Sequence, residues 1–501
     1  MSSTGLLALA PLWIAAAGAL GLLLLITIRR HFGLTAGSSV VVAGAGLASV
    51  FFVHRLAPLS VTGLFMIDGH ALFYTGLFFA AGLLIVLFAA SYFRPSTERR
   101  EEFFLAAFVA LLGSSVLASS THFVSLVLGL EILSVALYVL VSLPLERRES
   151  TEAGTKYLVL ASAAAAFLLF GGALIYGETG ALDFATWAVR AGGEHPASAR
   201  FILGVALMIV GIGFKLAIVP FHLWTPDVYQ GAPAPSAALV ATISKGGMLA
   251  FMLRFFWIID IRRFPSLVLV FSLMAGASMI VGNLLALRQN RLKRILAYSS
   301  ISHLGYLLVA FLAGGPAGLE AAGFYLAAYI IAMTAAFGSV TLLSPPDADA
   351  DSLEDYRGLF WSRPGTAAVL TLALLSLAGI PLTAGFLGKF YAVAAGVGSS
   401  LWALVIILVI TSVIGLYYYL RVLVALYARP REAGANAPRS LSLSKPSGQA
   451  SLVAGGIGLA LLALLLLWLG IFPTRLIETI RTAAVAPAAA TLPTGSGGSF
   501  R

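Results

Sequence analysis

The chain has 501 residues, 60% of them hydrophobic and 10% charged, with a formal net charge of +10 and no cysteine. Soluble domains run at roughly 45–50% apolar and about 25% charged residues, so this composition excludes a water-soluble globule. The absent thiols exclude a disulfide framework, a thiolate-held iron–sulfur cluster, a C-x-x-C-H haem attachment and a catalytic cysteine. At about 20 apolar residues per crossing, the chain is long enough for more than a dozen membrane spans. Neither G-x-G-x-x-G nor G-x-x-x-x-G-K-[ST] occurs, so no dinucleotide or P-loop site is expected, and the energy for any work arrives from elsewhere. The positive balance reads as basic cytoplasmic loops, with no nucleic-acid partner expected.

In chain order, apolar runs predict spans at 5–28, 34–54, 71–93, 103–121, 122–143, 155–177, 201–224, 237–259, 265–288, 294–314, 319–343, 366–398, 401–427 and 451–471, about fourteen in all. The expected fold class is an all-α membrane protein forming one polytopic domain over 1–501. Within it, 1–101 holds N-terminal helices, 102–260 and 261–427 are two inverted repeats, and 428–501 carries a C-terminal loop and the last helix. No basic residue precedes the first run, and Arg29 and Arg30 follow it, so it reads as a retained helix. Loops after odd-numbered spans carry Arg29, Arg30, Arg94, Arg99, Arg100, Arg147, Arg148, Lys156, Arg288, Arg291, Lys293, Arg294, Arg357, Arg363, Arg429, Arg431, Arg439 and Lys445. That is roughly eighteen against about eight on the other side, which assigns those loops to the cytoplasm. An even number of spans then puts both termini on the outer face.

The run 366–398 is too long for a plain crossing. As one helix it would reach about 50 Å, against roughly 30 Å of hydrocarbon, so it must bend, break or tilt. Gly379, Ile380 and Pro381 lie in its middle, and proline removes a backbone donor and frees a carbonyl four residues back. Span seven has a similar interruption at Pro220. Breaks in corresponding places of two halves point to an inverted-repeat transporter with its site at the breaks.

Function is most visible in the charges buried within these spans. Glu131 falls in span five, Lys215 in span seven, Lys245 in span eight and Lys389 after the break in span twelve. Each costs about 2.5–3.5 kcal/mol at a helix centre, and intramembrane ionisable groups mark ion pathways by default. Lysine suits a relay better than arginine, which does not give up its proton in proteins. A carboxylate near Lys215 favours the charged ammonium, and a change in that field would send the proton on to Lys245 and then Lys389. Arg254 and Arg421 lie near span ends and are expected to snorkel. Lys156 either reaches inward to Glu131 or anchors at the cytoplasmic surface. His222 and His303 carry imidazoles that suit proton transfer.

Gly213 to Pro235 (GFKLAIVPFHLWTPDVYQGAPAP), Asn283 to Tyr306 (NLLALRQNRLKRILAYSSISHLGY) and Leu377 to Tyr391 (LAGIPLTAGFLGKFY) resemble the antiporter-like subunits of proton-pumping NADH-quinone oxidoreductase, respiratory complex I. The version TPDVYQGAPAP is closer to the N-type subunit than to its L- and M-type paralogues, and no long lateral helix follows span fourteen as in the L type. The resemblance implies a proton relay of Glu131, Lys215, Lys245 and Lys389, with Lys156, His222 and His303 as accessory polar groups. It also implies that flavin, iron–sulfur clusters, NADH and quinone belong to partner subunits, with no cofactor in this chain. The implied partners are redox subunits, other membrane-arm subunits including antiporter-like paralogues, and membrane lipids, in a bacterial inner membrane. Two other readings stay open: a subunit of a multisubunit cation/proton antiporter or membrane-bound hydrogenase, and a non-conducting membrane scaffold.

Overall fold

The computed structural model describes residues 3–94, 100–143, 147–191, 198–344, 348–429 and 449–490. Arg99, Arg431, Arg439 and Lys445 of the charge asymmetry lie outside the described residues. The chain opens with α1 (Ser3–Ala8), α2 (Ala10–Ile28) and α3 (Phe32–Val53). A small antiparallel hairpin follows, β1 (Leu59–Val61) against β2 (Phe65–Ile67), with Ser60 opposite Met66. Its turn uses Thr62 and Gly63, both at positive φ, as a tight hairpin requires. Next come α4 (Gly69–Phe93), α5 (Glu101–Ser119), α6 (Phe123–Ser142), α7 (Arg148–Thr179), α8 (Phe184–Ala191) and α9 (Ala199–Leu216). Then follow α10 (Trp224–Gly231), α11 (Ala234–Leu239), a π-helical turn (Val240–Ser244), α12 (Lys245–Ile259), α13 (Pro265–Leu287), α14 (Leu292–Ala313) and α15 (Gly315–Leu343). The chain ends with α16 (Leu359–Ser362), α17 (Pro364–Ala378), α18 (Ala384–Gly398), α19 (Trp402–Tyr427), α20 (Gln449–Ile471) and α21 (Thr474–Ala490).

Among the described residues, 13 helices are long and apolar enough to cross a membrane, counting Ala234–Ile259 as one. The remaining expected span, 366–398, is divided into α17 and α18, of 15 residues each. The fold class is therefore the one read from the sequence, apart from the hairpin, which is too short to show in a hydrophobic pattern.

Burial separates centre from periphery. The apolar window of Ala234–Ile259 is 100% buried and that of α14 is 94% buried, whereas α3 and α7 bury only 33% each. A helix that is apolar all round and has no exposed face belongs to the middle of a bundle. Close approach rests on small residues, as in other membrane bundles. A Cβ on Gly171 of α7 would lie 2.5 Å from the Gly204 carbonyl oxygen of α9, and one on Gly282 of α13 would lie 2.8 Å from the Tyr298 carbonyl oxygen of α14.

One arginine behaves differently from expectation. Arg254 does not snorkel. Its side chain is 3% exposed and grips Asp68 through two bonds of 2.6 and 2.8 Å, while its Nε donates to the Ala118 carbonyl at 3.1 Å. Asp68 in turn accepts from the Ala71 N–H at 2.9 Å and so caps α4. The guanidinium stays inside because this one carboxylate satisfies it along two edges. Arg421 keeps its head at the span end, donating to the Leu287 and Gln289 carbonyls, where carbonyls lack helical partners.

The C-terminal elements close over the second break. A Cβ on Gly470 of α20 would lie 2.3 Å from the Leu382 carbonyl oxygen, so α20 rests directly on the non-helical segment 379–383. The helix α21 escaped the sequence reading. It packs on α4 and α15, with Ala483 against Gly69, Ile480 against Gly323, and Arg481 paired with Glu320 at 3.1 Å.

Candidate functional site

Two broken helices build the site. The first half-helix, α9, stops where Ala217 adopts φ 58°, and its last turn holds Lys215. Pro220 supplies no donor, and the irregular segment is held from outside: the Val219 N–H donates to Ser278 Oγ at 2.9 Å and Trp224 Nε1 to the Phe214 carbonyl at 3.0 Å. Lys215 is 2% exposed. Its Nζ donates to the Tyr157 hydroxyl at 2.9 Å and lies 5.2 Å from the centre of that ring. The carbonyl end of a helix is its negative pole, which favours an ammonium there.

The second break repeats this electrostatic arrangement with the chain order reversed. Here α17 ends at Gly379, with φ 82°, and Lys389 projects from α18 back onto it. Its Nζ donates to the Ala378 carbonyl, the last of α17, at 2.9 Å, and to Ser412 Oγ at 2.8 Å. The Tyr306 ring lies 5.3 Å away. Both lysines thus sit at the negative end of a half-helix, the membrane-buried form of a helix-terminus ion site.

Between them stands Lys245 on the central helix, with no exposed surface. The preceding turn, Val240–Ser244, is π-helical, a departure that recurs at functional sites. Lys245 Nζ donates to Ser300 Oγ at 2.6 Å. That hydroxyl also meets Tyr329 at 2.6 Å and Tyr229 at 3.3 Å. Three residues further along α14, His303 engages Tyr325 through Nδ1 at 2.9 Å and Tyr419 through Nε2 at 3.2 Å, and Tyr419 also meets Ser299. The His303 ring packs on Tyr329 on the Lys245 side and on Tyr306 on the Lys389 side. Tyr306 accepts from Asn283 at 2.9 Å and donates to Thr411 at 3.3 Å.

Residues 120–415 match the family described as NADH:quinone oxidoreductase/Mrp antiporter, transmembrane. The chain belongs to that family. It is similar in structure to a chain of respiratory complex I from Thermus thermophilus, with 32% identity and a TM-score of 0.79 over 94% of this chain and 100% of that one. A chain of an archaeal membrane-bound sulfane sulfur reductase shares the fold, with 24% identity and a TM-score of 0.84 over 97% and 99% of the two chains. So does one from the Mrp complex of Dietzia sp. DQ12-45-1b, with 21% identity and a TM-score of 0.82 over 99% and 98%.

In this antiporter-family chain the expected charged residues fall into distinct places. Glu131 is half-buried on α6. Lys245, from the first of the two expected repeats, and His303 and Lys389, from the second, are all buried in the interior. Lys156 does not reach Glu131: it is 46% exposed and pairs with Glu152 at 2.8 Å and Asp227 at 3.1 Å. Its surface partners are nearer in sequence and topology, and water solvates the charge. His222 is buried in the first break, with its Nδ1 bonded to no described group. Sequence reasoning missed the hydroxyls that receive the lysines, Tyr157, Ser300 and Ser412, and the Tyr229 and Tyr329 hydroxyls that bond to Ser300. A signal for one of them was present in YSSISH, which spaces Ser300 and His303 on one helical face. Tyrosine in a membrane span is otherwise indistinguishable from packing.

Chemically, each buried ammonium donates to a neutral hydroxyl, and the one that receives Lys245, Ser300, is linked onward to Tyr329 and Tyr229. Such a chain passes a proton by shifting each bond in turn and leaves no net charge on the hydroxyl groups.

Proposed function

We propose that this chain is a proton-translocating membrane-arm subunit, of the N type, of an NADH-quinone oxidoreductase. NADH oxidation and quinone reduction in partner subunits drive it, and the flavin, iron–sulfur clusters and quinone site belong to those partners. The relay runs from Glu131 and Lys215 through Lys245 to Lys389, with His222 and His303 as accessory groups and Lys156 at its surface end. Two inverted repeats, 102–260 and 261–427, carry one broken helix each. The protein resides in a bacterial inner membrane with both termini outside, surrounded by lipid and flanked by antiporter-like paralogues.

The observation that carries this reading is the line of buried groups that runs from Lys245 by hydrogen bonds to Ser300 and Tyr329, and by ring packing through His303 and Tyr306 to Lys389. A scaffold has no need of several ammonium groups that are free of carboxylate partners. The test is Lys215→Ala in the assembled complex in inverted vesicles, with NADH-driven acidification as the readout. We expect pumping and coupled electron transfer to fall at least tenfold; full pumping by an assembled variant would leave only a scaffold. Glu131→Gln should be damaging and Glu131→Asp mild, because charge at that position holds the Lys215 proton. Equal losses for both would assign the effect to geometry.

The family's breadth favours a second reading, a subunit of an Mrp-type cation/proton antiporter. Purification from native membranes decides between them: the first reading requires NADH-oxidising subunits to accompany this chain, the second requires their absence and cation-dependent proton flux.

A further inference from the structure

A cluster of charges lies outside this relay. A cavity of about 390 Å³ opens beside the loops that follow the odd-numbered spans, lined by Arg147, Glu149, Gln230, Arg291, Asp349 and Asp351 among others. Lys293, at the start of α14, forms part of its wall with only 2% of its side chain exposed. Its Nζ donates to Asp349 Oδ2 at 2.5 Å and to the Ala232 carbonyl at 2.8 Å. The other oxygen of Asp349 accepts from the Tyr92 hydroxyl at 2.6 Å and lies 3.8 Å from Arg147.

Two features aim this pair at the relay. Ser300 lies seven residues beyond Lys293 on α14, two turns along the same face and about 10 Å away along the axis. The segment from Tyr229 to Ala232 connects the same two points: Gln230 and Gly231 line the cavity, Ala232 accepts from Lys293, and the Tyr229 hydroxyl meets Ser300, the acceptor for Lys245. A buried ion pair is weak evidence of stability, because desolvation offsets its attraction.

We infer that Asp349 and Lys293 form a proton-loading port that feeds Lys245 from this cavity. This inference rests on the translocating role proposed above. In one cycle the Lys293 ammonium gives a proton through water along the 229–232 turn to the Tyr229 and Ser300 hydroxyls. Each hydroxyl passes one proton on as it takes one, and the neutral Lys245 amine receives it. Asp349, protonated from water in the cavity, then returns a proton to Lys293. One proton leaves the cavity for each that arrives at Lys245, with no oxidant or reductant involved. The titratable and charged groups that face Asp349 are Tyr92 from α4, Arg147 before α7, Lys293 from α14, and Asp351 and Tyr356 from its own loop. Burial pushes the Asp351 carboxyl up, against the pull of Lys293 and Arg291.

The test uses the assembled complex in inverted vesicles, measuring NADH-driven pumping from pH 6 to 9. Asp349→Asn keeps the shape of the carboxyl and removes its proton, and Tyr92→Phe loosens the same carboxyl but leaves both titratable groups in place. We expect Asp349→Asn to slow pumping at least threefold at neutral pH, with a loss that deepens as pH rises because bulk protons must then load Lys293 directly. Tyr92→Phe should retain most of the activity and the normal pH profile. Equal, pH-independent losses in the two variants would make the cluster a structural clamp and overturn the port. Where Asp349→Asn fails to assemble, Lys293→Arg carries the test: it holds its charge and cannot release a proton, so loss supports the port and wild-type pumping overturns it. Lys215→Ala, run in parallel, separates the two claims. Its failure to impair pumping sinks the translocating role itself, whereas a damaged Lys215→Ala beside a normal Asp349→Asn and Lys293→Arg sinks the port alone.

Discussion

Lys245 shows why type and placement of a residue must be read together. It has no exposed surface and a neutral hydroxyl as its bonded partner, so losing a proton leaves a neutral amine in a neutral site. Removing the receiving oxygen with Ser300→Ala should therefore slow pumping on the order of tenfold, equivalent to about 1.4 kcal/mol on the barrier. Lys245→Arg should also stop pumping despite keeping the charge; single-turnover proton release checks both. Asp68 and Arg254 illustrate the opposite use of charge, as a fixed tie. Burial alone would push the Asp68 carboxyl up, but the charge and hydrogen bonds of Arg254 outweigh it and hold the group below the usual carboxylate range. Because the folded value is depressed, this stabilisation is complete above the unfolded carboxylate range and is lost as pH falls through the lowered value. Asp68→Asn leaves a buried guanidinium without its counter-charge and should cost about 3–5 kcal/mol, visible as a lower unfolding temperature in detergent at neutral pH. At this scale the sequence was informative about which groups are buried and silent about their partners. Arg254 read as a snorkelling residue because Asp68 lies 186 positions away, beyond any local pattern.

Helical elements account for most of what was legible beforehand. Long apolar runs bounded by charge predicted most spans within a few residues, since each run must satisfy its own backbone in lipid, but α7 begins seven residues before its expected start and α9 ends eight residues before its expected end. The break in 366–398 followed from length and Pro381. The π-helical turn before Lys245 carried no such mark, because Val240–Ser244 is as apolar and helix-compatible as its flanks. Deleting one residue within it should return the turn to α geometry and leave Lys245 on nearly its present face, because a π turn takes up about one extra residue. The deletion variant is expected to assemble and keep pumping; a loss of pumping would show that the widened turn itself is required. Gly379 offers a gentler probe. With φ 82° and a Cβ position only 2.9 Å from Lys389 Cδ, Gly379→Ala should cost about 1 kcal/mol in backbone strain and displace the ammonium. A larger drop in pumping than in unfolding temperature would show that the lysine's position is the sensitive quantity.

At the scale of the molecule, exposure is graded from a fully enclosed centre to lipid-facing flanks. Composition announced the membrane, and the charge distribution over the loops gave an orientation. The hairpin, α8 and α21 stayed hidden, since short elements at the water boundary carry too few residues for a periodic signal. Accessibility labelling of single cysteines, feasible in a chain that has none, checks the orientation. Cysteines at positions 55 and 178 should react from the outer side and one at position 289 from the inner side; the reverse pattern would invert every direction of proton flow proposed for this subunit.

The close seat of Gly470 on Leu382 gives the final crossing a further task. Backbone carbonyls left bare by the Gly379–Thr383 interruption would otherwise meet acyl chains, which offer them nothing to bond. With α20 and α21 removed, a protein shortened to end near position 430 should leak protons passively, read as collapse of an imposed pH gradient in vesicles, before it loses its shape.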